Sequence, residues 1–152
     1  ILVIPYSTQT IEKDEIKSVT NVLKSNFLTS GPSIKRFEEL ISKKTKSKFA
    51  LSFNSATSAL HLSCLALGLK KNDYFWTVPN TFVSSATCGL LCNAKVDFVD
   101  IDVSSNNVSI PALKDKLFKA KKNKKLPKII IPVHLAGFPY KQDEIWELSK
   151  EF

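Results

Sequence analysis

Tyr74-Phe75-Trp76-Thr77-Val78-Pro79-Asn80-Thr81-Phe82-Val83-Ser84-Ser85-Ala86 decides how the rest of the chain is read. Its opening run, 74–78, is aromatic or β-branched and carries no charge, which fits a strand buried on both faces. Pro79 ends the ladder, and the residues beyond it predict a helix from about Phe82 to Cys92. A strand that gives way at once to a helix needs a crossover to reach a parallel neighbour. The same handover recurs on both sides. Residues 49–53 read as a strand and 56–67 as a helix, apolar on most sides and therefore buried, closing at Gly68. Residues 96–100 read as a strand followed by a helix from Ile110 to about Ala120. Residues 128–133 read as a strand followed by a helix that begins near Gln142. Four strands alternating with helices predict an α/β fold with a mostly parallel sheet, helices on both faces.

Two helices precede this core. Residues 10–25 place Ile16, Val19 and Leu23 on one face, with Thr10 as cap and Glu12, Asp14 and Glu15 near the positive end. Residues 33–44 carry the stripe Ile34, Phe37 and Ile41, and the stretch 26–32 breaks the two apart at Gly31-Pro32. The chain has no Met and stops at Phe152 inside a helical pattern with no stop signal. The expectation is a truncated sheet, part of a domain that would expose apolar surface and aggregate by itself.

Composition narrows the class. With 152 residues, 43% hydrophobic and 24% charged, the chain reads as globular. No apolar run approaches the roughly 20 residues of a membrane helix, and the start lacks a secretory leader's basic flank. A cytoplasmic protein without membrane contact is expected. The net charge of +8 raises a nucleic-acid-binding module as an alternative, but among 22 basic residues only Arg36 is arginine. Base readout favours arginine's planar fork, so nucleic acid is not the expected partner. The run 119–128 is read as a solvated loop. Cys64, Cys88 and Cys92 read as buried thiols, since no second ligand pair accompanies the i, i+4 spacing of Cys88 and Cys92. No metal is expected.

Ligands of open α/β sheets bind beyond the carboxyl ends of the strands. Asn54-Ser55-Ala56-Thr57-Ser58 opens a helix with small residues, so it reads equally as an anion site or as an ordinary N-cap. It is neither a P-loop nor a GxGxxG fingerprint. Phe82 either stacks on a flat ligand or belongs to the core, the latter being favoured when it is taken singly. Asp100 and Asp102 read as turn caps rather than metal ligands, and His134 as a hydrogen-bonded wall residue without a catalytic role.

Together, 53–62, 77–86, 96–102 and 131–137, ending in His134-Leu135-Ala136-Gly137, resemble the DegT/DnrJ/EryC1/StrS sugar aminotransferases. The resemblance implies fold-type-I pyridoxal-phosphate enzymes, with residues 1–32 an arm and substrate loop and 33–152 a partial large domain. It implies pyridoxal 5′-phosphate held by Ala56, Thr57 and Ser58 at the phosphate and by Phe82 at the ring. Residues 5–9 and 25–32 resemble the branch on the pseudaminic acid route, which aminates C4 of a UDP-linked 4-keto-6-deoxy-N-acetylhexosamine with glutamate. That branch implies substrate contacts at Tyr6, Asn26, Phe27, Leu28, Thr29 and Ala56. Family sites lie at a homodimer interface. The family's Schiff-base lysine and its pyridine-nitrogen Asp fall beyond Phe152, so no catalytic residue is expected here and the 152 residues alone are expected to lack transaminase activity. A non-catalytic remnant or pairing scaffold of such an enzyme is the alternative.

Overall fold

The computed structural model describes residues 3–5 and 7–152, and the chain divides into two compact units, Ile1–Ser52 and Phe53–Phe152. In the second unit, strands β1 (Tyr74–Thr77), β2 (Lys95–Phe98) and β3 (Pro127–Ile131) form a parallel sheet in the order β2-β1-β3. Helix α4 (Ser84–Leu91) joins β1 to β2, and α5 (Ile110–Lys122) carries the chain past β1 to β3. Helix α3 (Ala56–Ala66) precedes β1, and α6 (Gln142–Glu151) follows β3.

The alternation of strand side chains builds two cores from one sheet. Phe75 faces Cys64 of α3, Cys88 of α4 and Cys92 just after α4, with Ile129 and Ile131 packed alongside. Trp76 faces Leu113, Leu117 and Ala120 of α5 and Leu148 of α6, with Ile130 alongside. Helices therefore cover both faces, as the sequence predicts. Burying a side chain such as Phe75, which has no exposed surface, contributes about 1.5–3 kcal/mol.

The ends of α3, α4 and α5 share one geometry. Beyond each, a residue of positive φ (Gly68, Asn93 and Lys124) lets two backbone N–H groups return to the last turn. After α3 these bonds run from Gly68 to Leu65 and from Leu69 to Cys64, at 2.9 and 3.0 Å. Gly68 therefore closes the helix as expected.

Several expectations need correction. Residues 49–53 form no strand: Phe49 and Leu51 are both 75% exposed, and no ladder partner exists for them among the described residues. The N–H of Ser52 is instead taken by the Glu38 carboxylate at 2.8 Å. Helix α3 is only partly covered, with Leu62, Leu65 and Leu67 exposed. The lysine run is loop only over 123–126, because α5 extends through Lys119, Lys121 and Lys122, whose charges suit the negative helix end, and Lys128 already belongs to β3.

The first unit holds α1 (Lys13–Leu23) and α2 (Pro32–Thr45). Thr10 does not cap α1. Glu12 does, its N–H donating to the Glu15 carboxylate at 2.9 Å. Ile16, Val19 and Leu23, the stripe read on one face of this helix, are exposed.

Candidate functional site

The strand order reverses at β1, with β2 on one side and β3 on the other, and such a reversal parts the connecting loops to leave a crevice. A hollow of about 560 Å³ occupies it. Three segments supply its walls: the start of α3, the loop from β1 into α4, and the residues after β3.

The α3 wall is a helix N-terminus. Ser55 caps it, its Oγ accepting the Ser58 N–H at 3.1 Å, while the N–H groups of Ala56 and Thr57 lie in the turn where no intrahelical acceptor exists. Ala56 and Thr57 line the hollow. Ser58 is not among the lining residues, and its hydroxyl lies 3.0 Å from that of Ser55.

The wall from β1 to α4 brings Asn80, Thr81 and Phe82 to the hollow, followed by Ser84 and Ser85. Phe82 is 75% exposed, which rules out the core reading favoured from sequence. Two hydroxyl pairs fix this wall. Thr57 Oγ1 and Ser84 Oγ share a hydrogen bond of 2.6 Å, and Thr81 Oγ1 and Ser85 Oγ share one of 2.8 Å. Ser84 is 5% exposed, so its hydroxyl has few partners to choose from.

The third wall is the turn after β3. His134 stacks on Tyr140, ring centroids 4.2 Å apart, and its Nδ1 accepts the Tyr140 N–H at 3.3 Å. That is the hydrogen-bonded wall role expected of it. Ala136, a neighbour in the wall, has φ of +52°, a conformation that costs an L-residue about 1–2 kcal/mol. Asn107 holds the turn in place: its Oδ1 accepts the Leu135 N–H at 3.2 Å and its Nδ2 donates to the Phe138 carbonyl at 3.0 Å. Asn107 is buried, yet no short-range pattern in the sequence marks it, since both partners lie far along the chain.

No carboxylate is among the residues lining the hollow, so an anion entering it meets N–H and O–H donors without a facing negative charge. The acidic pair lies elsewhere. Asp102 Oδ1 accepts the N–H groups of Ser104 and Ser105 at 3.1 and 3.0 Å and their hydroxyls too, so it caps its turn. The Ser104 hydroxyl, followed by the Ser105 donors, holds its carboxyl below the ordinary range. Asp100 accepts the Ile101 N–H at 2.8 Å. Cys64, Cys88 and Cys92 are buried free thiols, and burial pushes Cys64 up to about 12.

The substrate residues inferred from the resemblance are divided between the units. Asn26, Phe27, Leu28 and Thr29 belong to the first, where all are exposed and the Phe27 N–H meets Ser25 Oγ at 3.2 Å. Ala56 belongs to the second, and Tyr6 lies outside the described residues.

A parallel α/β sheet with helices on both faces and a donor-lined hollow at the strand-order reversal is the arrangement in which open α/β sheets bind ligands. Among solved structures, the chain is similar to Spr1654 of Streptococcus pneumoniae in its PMP form (TM-score 0.85, 28% identity, 95% of this chain and 35% of that one). The PLP form of the same protein matches with a TM-score of 0.84. Among curated proteins it is 38% identical to the uncharacterized protein MJ1066 of Methanocaldococcus jannaschii, over 93% of this chain and 35% of the relative. It is 37% identical to the UDP-4-amino-4,6-dideoxy-N-acetyl-beta-L-altrosamine transaminase of Campylobacter jejuni serotype O:2, over 97% of this chain and 38% of the relative. The sequence model of the DegT/DnrJ/EryC1/StrS aminotransferase family matches residues 9–152, and the chain belongs to that family. The family is pyridoxal-phosphate dependent. The chain spans little more than a third of the length of these curated relatives.

Proposed function

We propose that this chain forms the phosphate- and ring-holding wall of a pyridoxal 5′-phosphate aminotransferase. Its substrate is a UDP-linked 4-keto-6-deoxy-N-acetylhexosamine, aminated at C4 with glutamate as donor, on the pseudaminic acid route. The observation that carries the reading is the meeting, in one hollow without carboxylates, of the unblocked α3 N-terminus and the exposed ring of Phe82. The residues fit such a group: the Ala56 and Thr57 N–H groups and the Thr57 hydroxyl would hold its phosphate, and Phe82 would stack on its ring.

When bound, the cofactor supplies an electron sink for moving an amino group. The α3 N-terminus would orient it by its phosphate, and Phe82 would exclude water from one ring face. Ser58 would join the phosphate donors through its hydroxyl, whose hydrogen is free when its oxygen accepts from Ser55. The sugar specificity rests on the likeness to the altrosamine transaminase, with Tyr6, Asn26, Phe27, Leu28, Thr29 and Ala56 as its contacts. Residues 1–32 act as the arm and substrate loop, and 33–152 as part of the cofactor-binding domain of a cytoplasmic homodimer.

The test uses pyridoxamine 5′-phosphate, which lacks the aldehyde that would react with surface lysines. Equilibrium dialysis against the chain should give saturable binding that pyridoxamine, lacking the phosphate, does not match. Phe82→Ala should weaken it roughly three- to tenfold, the range of one stacking contact. Equal binding of the two probes would refute the phosphate-cup reading. We also propose that the 152 residues alone do not turn over glutamate. Borohydride reduction with pyridoxal phosphate should then label lysines without preference, and one specifically labelled lysine together with glutamate consumption would count against this.

A further inference from the structure

Ser84 lines the hollow beside Thr57, and the bond between the two hydroxyls gives it a distinct task. Its hydroxyl is buried at the start of α4 and lies 2.6 Å from Thr57 Oγ1, a short contact for two neutral hydroxyls. A hydroxyl has one hydrogen and two acceptor lone pairs. For Thr57 to donate to an anion, its own hydrogen must point into the hollow, which leaves its oxygen free to accept. The hydrogen between the two oxygens must then come from Ser84. If Thr57 donated to Ser84 instead, it would face the anion with lone pairs.

We propose that Ser84 is a positioning residue that donates to Thr57 and so commits the Thr57 hydrogen to a phosphate in the hollow. The inference rests on the phosphate-cup reading and extends it to a residue outside the cup. Two features of the site favour this direction. The hollow has no carboxylate to compete for the Thr57 hydrogen. The pair also bridges α3 to α4, so the Thr57 rotamer is tied to a second element and not to its own helix alone. Polarisation along such a chain strengthens the terminal bond.

The test is a double-mutant cycle on the 152-residue chain, with pyridoxamine 5′-phosphate and phosphate-free pyridoxamine as probes and folding checked by circular dichroism. Thr57→Val should weaken binding of the phosphorylated probe roughly tenfold or more, the loss of one bond to a charged group. Ser84→Ala should weaken it roughly three- to tenfold. The double variant should bind no more weakly than Thr57→Val alone, because Ser84 acts only through the Thr57 hydroxyl. Pyridoxamine should bind all of them alike. Losses that multiply in the double variant, an unchanged affinity in Ser84→Ala, or an equal loss for pyridoxamine would each overturn the inference. If Ser84→Ala folds poorly, Ser84→Cys, close in volume but a weak donor, answers the same question. Failure of the unaltered chain to bind the phosphorylated probe would instead overturn the phosphate-cup reading, and this inference with it.

Discussion

At the scale of single residues, the structure separates side chains that look alike in sequence. Ser55, Ser58, Ser84 and Ser85 are all small hydroxyl residues beside a helix start, yet each has a different partner: a backbone N–H, a capping serine, Thr57 and Thr81. Thr57 and Phe82 drew notice at helix starts, but each stood beside a structural alternative, and only the family resemblance chose between them. Ser84 and Asn107 could not be nominated, because their partners lie 27 and 28 residues or more away. The thiol of Cys64 gives a residue-scale test. Burial raises it from 9.0 to about 12, so the folded chain keeps a proton that the unfolded chain gives up. Its contribution to stability is complete below pH 9 and is lost as pH rises towards 12. Urea midpoints measured across that range should fall, and should fall less in Cys64→Ala, after allowing for that variant's lower baseline.

At the scale of elements, the positions that bind the layers together are those with no room. Gly89 of α4 faces β1 so closely that an added Cβ would stand 2.6 Å from Phe75 Cδ1 and 3.0 Å from Val96 Cγ2. Phe75 is itself fully buried and cannot step aside. Gly89→Ala should cost about 1–3 kcal/mol of unfolding free energy by denaturant titration, despite alanine's better helix propensity. The helices and the three strands of the sheet were legible from their periodicity to within a few residues, with the breaks at Gly31-Pro32 and Gly68 among the clearest signals. Residues 49–53 were misread because their apolar character suits a strand wherever a ladder is at hand. A strand is a property of two segments, and here the Ser52 N–H is satisfied by Glu38. The α1 cap was misplaced for a related reason, since Thr10, Glu12 and Glu15 all fit the start and only geometry ranks them.

At the scale of the whole molecule, the two units differ in what sustains them. Both hydrophobic clusters lie within Phe53–Phe152. In Ile1–Ser52, neither α1 nor α2 has a buried residue. Helices of 11 and 14 residues are marginal in water without tertiary cover. A peptide of residues 1–52 should therefore show little helicity by circular dichroism, while 53–152 should retain a cooperative thermal transition. A strongly helical 1–52 peptide would contradict this. The sheet was readable because the strand-to-helix alternation recurs, whereas the first unit gave helix patterns without saying what their apolar faces meet.

The bond from the Tyr140 backbone to His134 has one more consequence. A nitrogen that accepts a hydrogen bond cannot also carry the proton, so the uncharged imidazole must be the Nε2–H tautomer. At Nε2 the ring is thus a donor by construction, and it could offer a lone pair there only after its hold on the following turn had been released.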